Sequence, residues 1–168
     1  MVGARPQFIK SATVSCELRR SVQEVLVDTG QHYDDTMSGL FFRELGLSEP
    51  NYHLAVGSAS HGHQSGEMLI KMGEVLLKEE ADVVVVYGDT NSTLAGSLAT
   101  AKFHIPIAHV EAGLRSHNRK KPEEINRVLS DHMSTLLFCP TETAGENLWR
   151  EESILSAMPC MTLYWRLS

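Results

Sequence analysis

Val83 to Tyr87 (VVVVY) is an unbroken apolar run with no polar alternation, and it constrains the fold more than any other stretch of the chain. A strand of this kind is covered on both faces, as parallel strands are when helices flank the sheet. Three other short runs share the property: Glu24 to Asp28 (EVLVD), Ile105 to Val110 (IPIAHV) and Thr135 to Cys139 (TLLFC). Helical patterns separate them. Between Ser65 and Lys78 the residues Met68, Leu69, Met72, Val75 and Leu76 form one apolar stripe. Ser92 to Phe103 is rich in alanine and suits close packing on a sheet. Pro122 fits the first helical position of a segment running to Asp131, and Thr143 with Glu146 has capping-box spacing. Strand and helix in alternation predict an α/β fold with a doubly wound parallel sheet, of the Rossmann-like kind.

Composition narrows the function classes. The chain has 168 residues, with 21 acidic against 15 basic side chains and a net charge of −6. That charge balance argues against nucleic acid and against a membrane surface, which both favour a basic face. No stretch approaches the ~18 apolar residues of a membrane span, and Met1-Val2-Gly3 lacks the charged and apolar regions of a secretory signal. Three widely spaced cysteines, Cys16, Cys139 and Cys160, fit neither a disulfide framework nor a zinc site. The expectation is a cytoplasmic protein.

Ligands of doubly wound sheets bind at the carboxyl ends of the strands, so chemistry is sought in the loops that follow them. Gly3-Ala4-Arg5-Pro6 leads into a helix carrying Lys10; it reads either as an anion site with free backbone N–H groups or as a simple turn with a proline start. It is not G-x-G-x-x-G, so a dinucleotide fingerprint is missing. Gly88-Asp89-Thr90-Asn91 follows the most apolar strand. Thr90 or Asn91 serves as helix cap there, which leaves Asp89 to face the crevice. His109 to Arg115 (HVEAGLR) places Glu111 at another strand end, with Gly113 turning the backbone and Arg115 as an ion-pair partner for Glu111. Pro122-Glu123-Glu124 sets two acids in the first turn of a helix, where they also complement its dipole. Carboxylates gathered at one sheet edge raise each other's pKa and suit acid and base work. Gln31-His32-Tyr33 lines the same crevice or forms a turn. His61-Gly62-His63 lacks further ligands at metal spacing, and no serine sits in a nucleophile elbow.

Taken together, GARPQFIK (3–10), DTGQHYDD (28–35), YGDTNSTLAG (87–96), HVEAGLRS (109–116), PEEINR (122–127) and CPTETAGENL (139–148) resemble the non-hydrolysing UDP-N-acetylglucosamine 2-epimerase family. The resemblance implies the N-terminal half of a two-domain glycosyltransferase-B architecture with the active site between the domains. It implies inversion at C2 of a UDP-sugar without NAD or metal, through elimination of UDP to a 2-acetamidoglucal and its re-addition. By position, Asp89, Glu111 and Glu123 would be the acid/base carboxylates, with the residue that takes the C2 proton left open. Arg5 and Lys10 would hold the diphosphate or sugar, Gln31 would bind substrate, and Gln31 with Gln64 would lie near an activator pocket. A UDP-sugar partner and a homodimer are also implied.

Two departures from the family pattern set further expectations. Only Met1-Val2 precedes Gly3, so residues 1–150 are expected as the N-terminal domain with a truncated first strand. Residues 151–168 are expected as a divergent tail, with the C-terminal domain absent, which predicts a fragment inactive alone. The alternatives are a 2-epimerase for another UDP-sugar, such as a diacetamido uronic acid, and a non-catalytic interaction module or remnant.

Overall fold

A computed structural model of the chain describes residues 1–30, 47–155 and 161–164. Its elements run α1 (Arg5–Leu18), β1 (Val27–Asp28), β2 (Tyr52–His53), α2 (His61–Glu79), β3 (Val84–Tyr87), α3 (Asn91–Lys102), β4 (Ile107–Val110), α4 (Pro122–Met133), β5 (Leu136–Cys139), α5 (Glu142–Leu155) and β6 (Met161–Tyr164). Every strand pairing is parallel: β1 with β2, and β3 to β6 in sequence order. This is the α/β parallel sheet that the apolar runs imply.

Met1 and Val2 lie between the two sets of strands. The Val2 N–H donates to the Val27 carbonyl at 2.9 Å and the Thr29 N–H to the Val2 carbonyl at 2.9 Å. On the other side the Met1 nitrogen donates to the Val85 carbonyl at 2.8 Å. Two residues thus join β1 to β3 and carry the chain into α1. Beside them, a groove of about 410 Å³ runs between Val25–Val27 and Val83–Val85, near the amino ends of the strands, and Lys10, Asp89, Glu111 and Glu123 do not line it.

The sheet divides two apolar layers. On one face Val84 and Val86 pack with Met68, Met72, Val75 and Leu76 of α2 and with Ala95 and Ala99 of α3. On the other, Val2, Leu26 and Tyr87 meet Phe8, Ala12 and Val14 of α1. Burial raises the Tyr87 phenol above its ordinary range. Beyond β4, Leu137 and Cys139 of β5 pack on Ala144 and Leu148 of α5. No helix among the described residues is long and apolar enough to cross a membrane.

Local signals explain most boundaries. Pro122 does occupy the start of α4, and Thr90 caps α3 by accepting from the Thr93 N–H. The expected cap at Thr143 is incorrect: Thr141 accepts from the Ala144 N–H at 3.2 Å, and Thr143 lies inside α5. Both threonines precede helix-forming residues, and the extra residues after Pro140 let the helix start two positions earlier. β1 is shorter than the expected run: before Val27 the Leu26 N–H donates to Asn51 Oδ1 at 2.8 Å and not to a neighbouring strand's carbonyl.

Gly3 marks the tightest crossing. A Cβ there would fall inside van der Waals contact of both Thr29 Oγ1 and Ser92 Oγ, which hydrogen-bond each other at 2.8 Å. Gly3→Ala is therefore expected to cost roughly 1–3 kcal/mol as an overpacking substitution. Urea unfolding would show this as a lowered midpoint with an unchanged slope.

Candidate active site

Gln7 builds the first half of the site. Its Oε1 accepts from the Gly3 and Ala4 N–H groups at 2.8 and 3.1 Å, which leaves those two donors committed within the protein. Its Nε2 donates to the Tyr87 carbonyl at 2.6 Å and to the Thr90 and Thr93 hydroxyls at 3.0 and 3.1 Å. One buried amide therefore fastens the loop before α1 to the loop after β3. The expectation of free N–H groups on Gly3 and Ala4 is corrected by that contact.

The loop after β3 turns at Gly88, with φ +64°. The geometry requires glycine on two counts: the positive φ, and the Glu111 Oε2 atom 3.3 Å from where a Cβ would stand. Asp89 follows, about one-third exposed, and its carboxylate pairs with the Arg127 guanidinium from α4. Its carbonyl accepts from Asn126 Nδ2 at 3.0 Å, and Asn126 also reaches Asn91 Oδ1 at 3.2 Å. Asn91 in turn donates to Gln64 Oε1 at 2.7 Å and to His61 Nδ1 at 3.0 Å. Gln64 is thereby buried in a polar chain beneath Asp89.

Glu111 directly follows β4 with φ +73°, a left-handed conformation uncommon outside glycine. The turn is held because the Glu111 and Ala112 N–H groups both donate to the Phe138 carbonyl, at 3.1 and 3.2 Å. The Glu111 carboxylate meets Lys10 Nζ at 2.5 Å. Arg115 is not its partner, contrary to the sequence expectation. Gly113, at φ +77°, folds the chain back so that Arg115 enters the interior, 2% exposed. There it pairs with Asp131 at 2.6 Å and with Glu151 at 2.7 Å. Burial opposes the Arg115 charge, but Glu151 and Asp131 outweigh it and raise the guanidinium pKa further.

The paired acids of α4 separate into two roles. Glu124 is 3% exposed and accepts from the Ser116 N–H, the Ser116 hydroxyl and the His117 N–H at 2.9, 3.0 and 2.8 Å. Burial works against its ionisation, yet these bonds and Arg127 hold its carboxyl below the usual glutamate range. Glu123 is exposed in the first turn of the helix. Asp89 and Glu111 each have their own cation, Arg127 and Lys10.

Arg5 begins α1, but its side chain lies outside the described residues, as does Gln31. His63 forms a surface pair with Glu67 at 3.7 Å. Among the described residues no group of three His, Cys, Asp or Glu side chains is placed to hold a metal ion. Sequence reasoning missed Gln7, His109 and Asp131. For His109 the signal was a polar residue inside a strand otherwise apolar on both faces.

The profile of the UDP-N-acetylglucosamine 2-epimerase family matches residues 15–155. A Methanococcus maripaludis protein described as a UDP-N-acetylglucosamine 2-epimerase homolog is 64% identical over 151 residues, covering 90% of this chain and 42% of that protein. A Pseudomonas aeruginosa UDP-2,3-diacetamido-2,3-dideoxy-D-glucuronate 2-epimerase is 52% identical over 153 residues, covering 90% of this chain and 43% of that protein. Among solved structures, the Methanocaldococcus jannaschii UDP-GlcNAc 2-epimerase in complex with UDP-GlcNAc and UDP superposes with a TM-score of 0.86 at 52% identity. It covers 89% of this chain and 42% of that one. The chain thus spans about two-fifths of the length of these relatives. With motifs, fold and profile in agreement over most of its residues, the chain belongs to the UDP-N-acetylglucosamine 2-epimerase family.

Proposed function

We propose that this chain supplies the acid/base half of a UDP-N-acetylglucosamine 2-epimerase, which interconverts UDP-GlcNAc and UDP-ManNAc. The observation that carries the reading is the placement of Asp89 and Glu111 at the ends of adjacent strands, each beside a cation from a different helix. Inversion at C2 removes a proton from one face and returns it to the other, so it needs two proton-handling groups converging from different directions. In the proposed sequence, one carboxylate takes the C2 proton as the bond to UDP breaks, giving 2-acetamidoglucal and UDP. Re-addition of UDP, with protonation of C2 from the opposite face, gives the epimer. Glu123, exposed at the start of α4, is the third carboxylate. Lys10, Arg5 and Gln31 are proposed to bind the diphosphate or sugar, with Lys10 moving from Glu111 to the ligand.

The proposed setting is the cytoplasm, and the proposed assembly is a homodimer through exposed apolar residues such as Ile70 and Leu77. We propose that activity requires a second domain facing these loops. The test is deuterium incorporation at C2 of UDP-GlcNAc in D₂O, with the chain alone and fused to the remaining part of the Methanococcus maripaludis relative. Exchange by the fusion alone is the expected result. A folded fusion without exchange overturns the epimerase reading, and exchange by the isolated chain overturns the need for a second domain.

The 52% identity to the diacetamido-glucuronate epimerase favours that substrate as the second reading. Product analysis of the same fusion with both nucleotide sugars separates them.

A further inference from the structure

His109 is fully buried at the middle of β4, and both of its ring nitrogens have oxygen partners. Nε2 lies 2.7 Å from the Gly88 carbonyl and Nδ1 lies 2.7 Å from Asp131 Oδ1. A carbonyl oxygen only accepts, so Nε2 carries a hydrogen. Asp131 Oδ2 already accepts from the Gly113 N–H at 3.1 Å and from Arg115 at 2.6 Å. Burial pushes the Asp131 carboxyl up, but His109 and Arg115 more than compensate and hold it below the usual aspartate range, as an acceptor. Nδ1 therefore donates as well.

The two ends of this chain of bonds matter for the site. Gly88 immediately precedes Asp89, and Gly113 closes the turn that begins at Glu111. We propose that His109 is a positioning residue: by donating from both ring nitrogens it ties the Gly88 carbonyl to Asp131, and so sets the Asp89 loop against the Glu111 loop. Its consequence for catalysis rests on the epimerase reading above.

Nuclear magnetic resonance on the isotopically labelled chain tests the first part. Both ring nitrogens of His109 are expected to carry slowly exchanging hydrogens, with couplings to the Gly88 carbonyl and the Asp131 carboxylate. Two substitutions divide the bonds. His109→Gln keeps a donor that reaches the Gly88 carbonyl, while His109→Asn keeps one that reaches Asp131. The Asp89 carboxyl and amide resonances are expected to move in His109→Asn and to return toward their original positions in His109→Gln. In the fused enzyme, kcat for C2 exchange is expected to fall about 100-fold in His109→Asn, the cost of a misplacement near 1 Å. His109→Gln recovers at least about tenfold of that loss, with KM for UDP-GlcNAc nearly constant in both. A ring with one hydrogen overturns the proposal, as do Asp89 resonances indifferent to both substitutions or equally displaced by them. If the unsubstituted fusion shows no exchange, the epimerase reading fails while the ring and Asp89 spectra still decide the positioning role. Should His109→Asn not fold, the unsubstituted spectrum and His109→Gln decide it.

Discussion

Asp131→Asn is expected to remove about 3–5 kcal/mol of folding stability, the range for deleting one partner of a buried ion pair. Asp131 is 1% exposed at its side chain and faces His109 and Arg115, which are 0% and 2% exposed. The amide keeps the shape and loses the charge, so the buried Arg115 guanidinium would keep only Glu151, a partly exposed carboxylate, as its anion. Against a total stability of about 5–15 kcal/mol for a domain of this type, that is a large share. Arg20→Ala serves as the control. Its pair with Glu17 is 69% and 64% exposed, and such pairs contribute at most about 1 kcal/mol. Urea unfolding of both variants measures the contrast, and a change below about 1 kcal/mol in Asp131→Asn would contradict the buried-network account.

The same network predicts an acid limb. Asp131 and Glu124 are both held below their ordinary values of 3.8 and 4.5, so the unfolded chain binds protons at these sites before the folded one does. Their contribution is fully present above the unfolded values and is lost as pH falls through the lower folded ones. The unfolding midpoint should decline below about pH 4.5, and Asp131→Asn should flatten that decline.

Apolar patterning and motif spacing made the sheet legible, and they located Asp89 and Glu111 at the strand ends. What they left hidden is how side chains choose among several partners at equal sequence distance. Arg115 lies four residues from Glu111, and pairing the two is the economical guess. The left-handed turns at Glu111 and Gly113 instead rotate Arg115 under α4, where Asp131 waits sixteen residues along. Nothing local encodes that reversal except Gly113 itself. The same holds for Gln7, whose partners at Tyr87, Thr90 and Thr93 come from the opposite half of the chain. β2 was invisible for a different reason. Two residues with an exposed histidine form no apolar run, and only pairing with β1 makes them a strand. Glu123 and Glu124 look alike as helix-start acids. Burial separates them, because the 116–117 backbone folds onto one and leaves the other in solvent.

Glu111 offers the sharpest separation of stability from activity. Glu111→Gln preserves the side-chain shape and removes the carboxylate proposed to handle the proton, and C2 exchange in the fused enzyme is expected to fall by about 10²–10⁴. Folding should barely register the change, because the Lys10 pair is 38% and 27% exposed and such pairs contribute about 1 kcal/mol or less. Glu111→Gly goes further. It relieves the φ of +73°, a strain of order 1 kcal/mol in a residue with a Cβ, so this variant is expected to be more stable than the original and equally inactive. Exchange within about threefold of the original in Glu111→Gln would remove this carboxylate from the chemistry. A destabilised Glu111→Gly would show that the side chain, and not the backbone of the β4 turn, holds the loop in place. The expected pair of results would have a physical cause: on the proposed role of Glu111, a residue that suits the turn could not move a proton, and the one that could would be kept there against its own backbone preference.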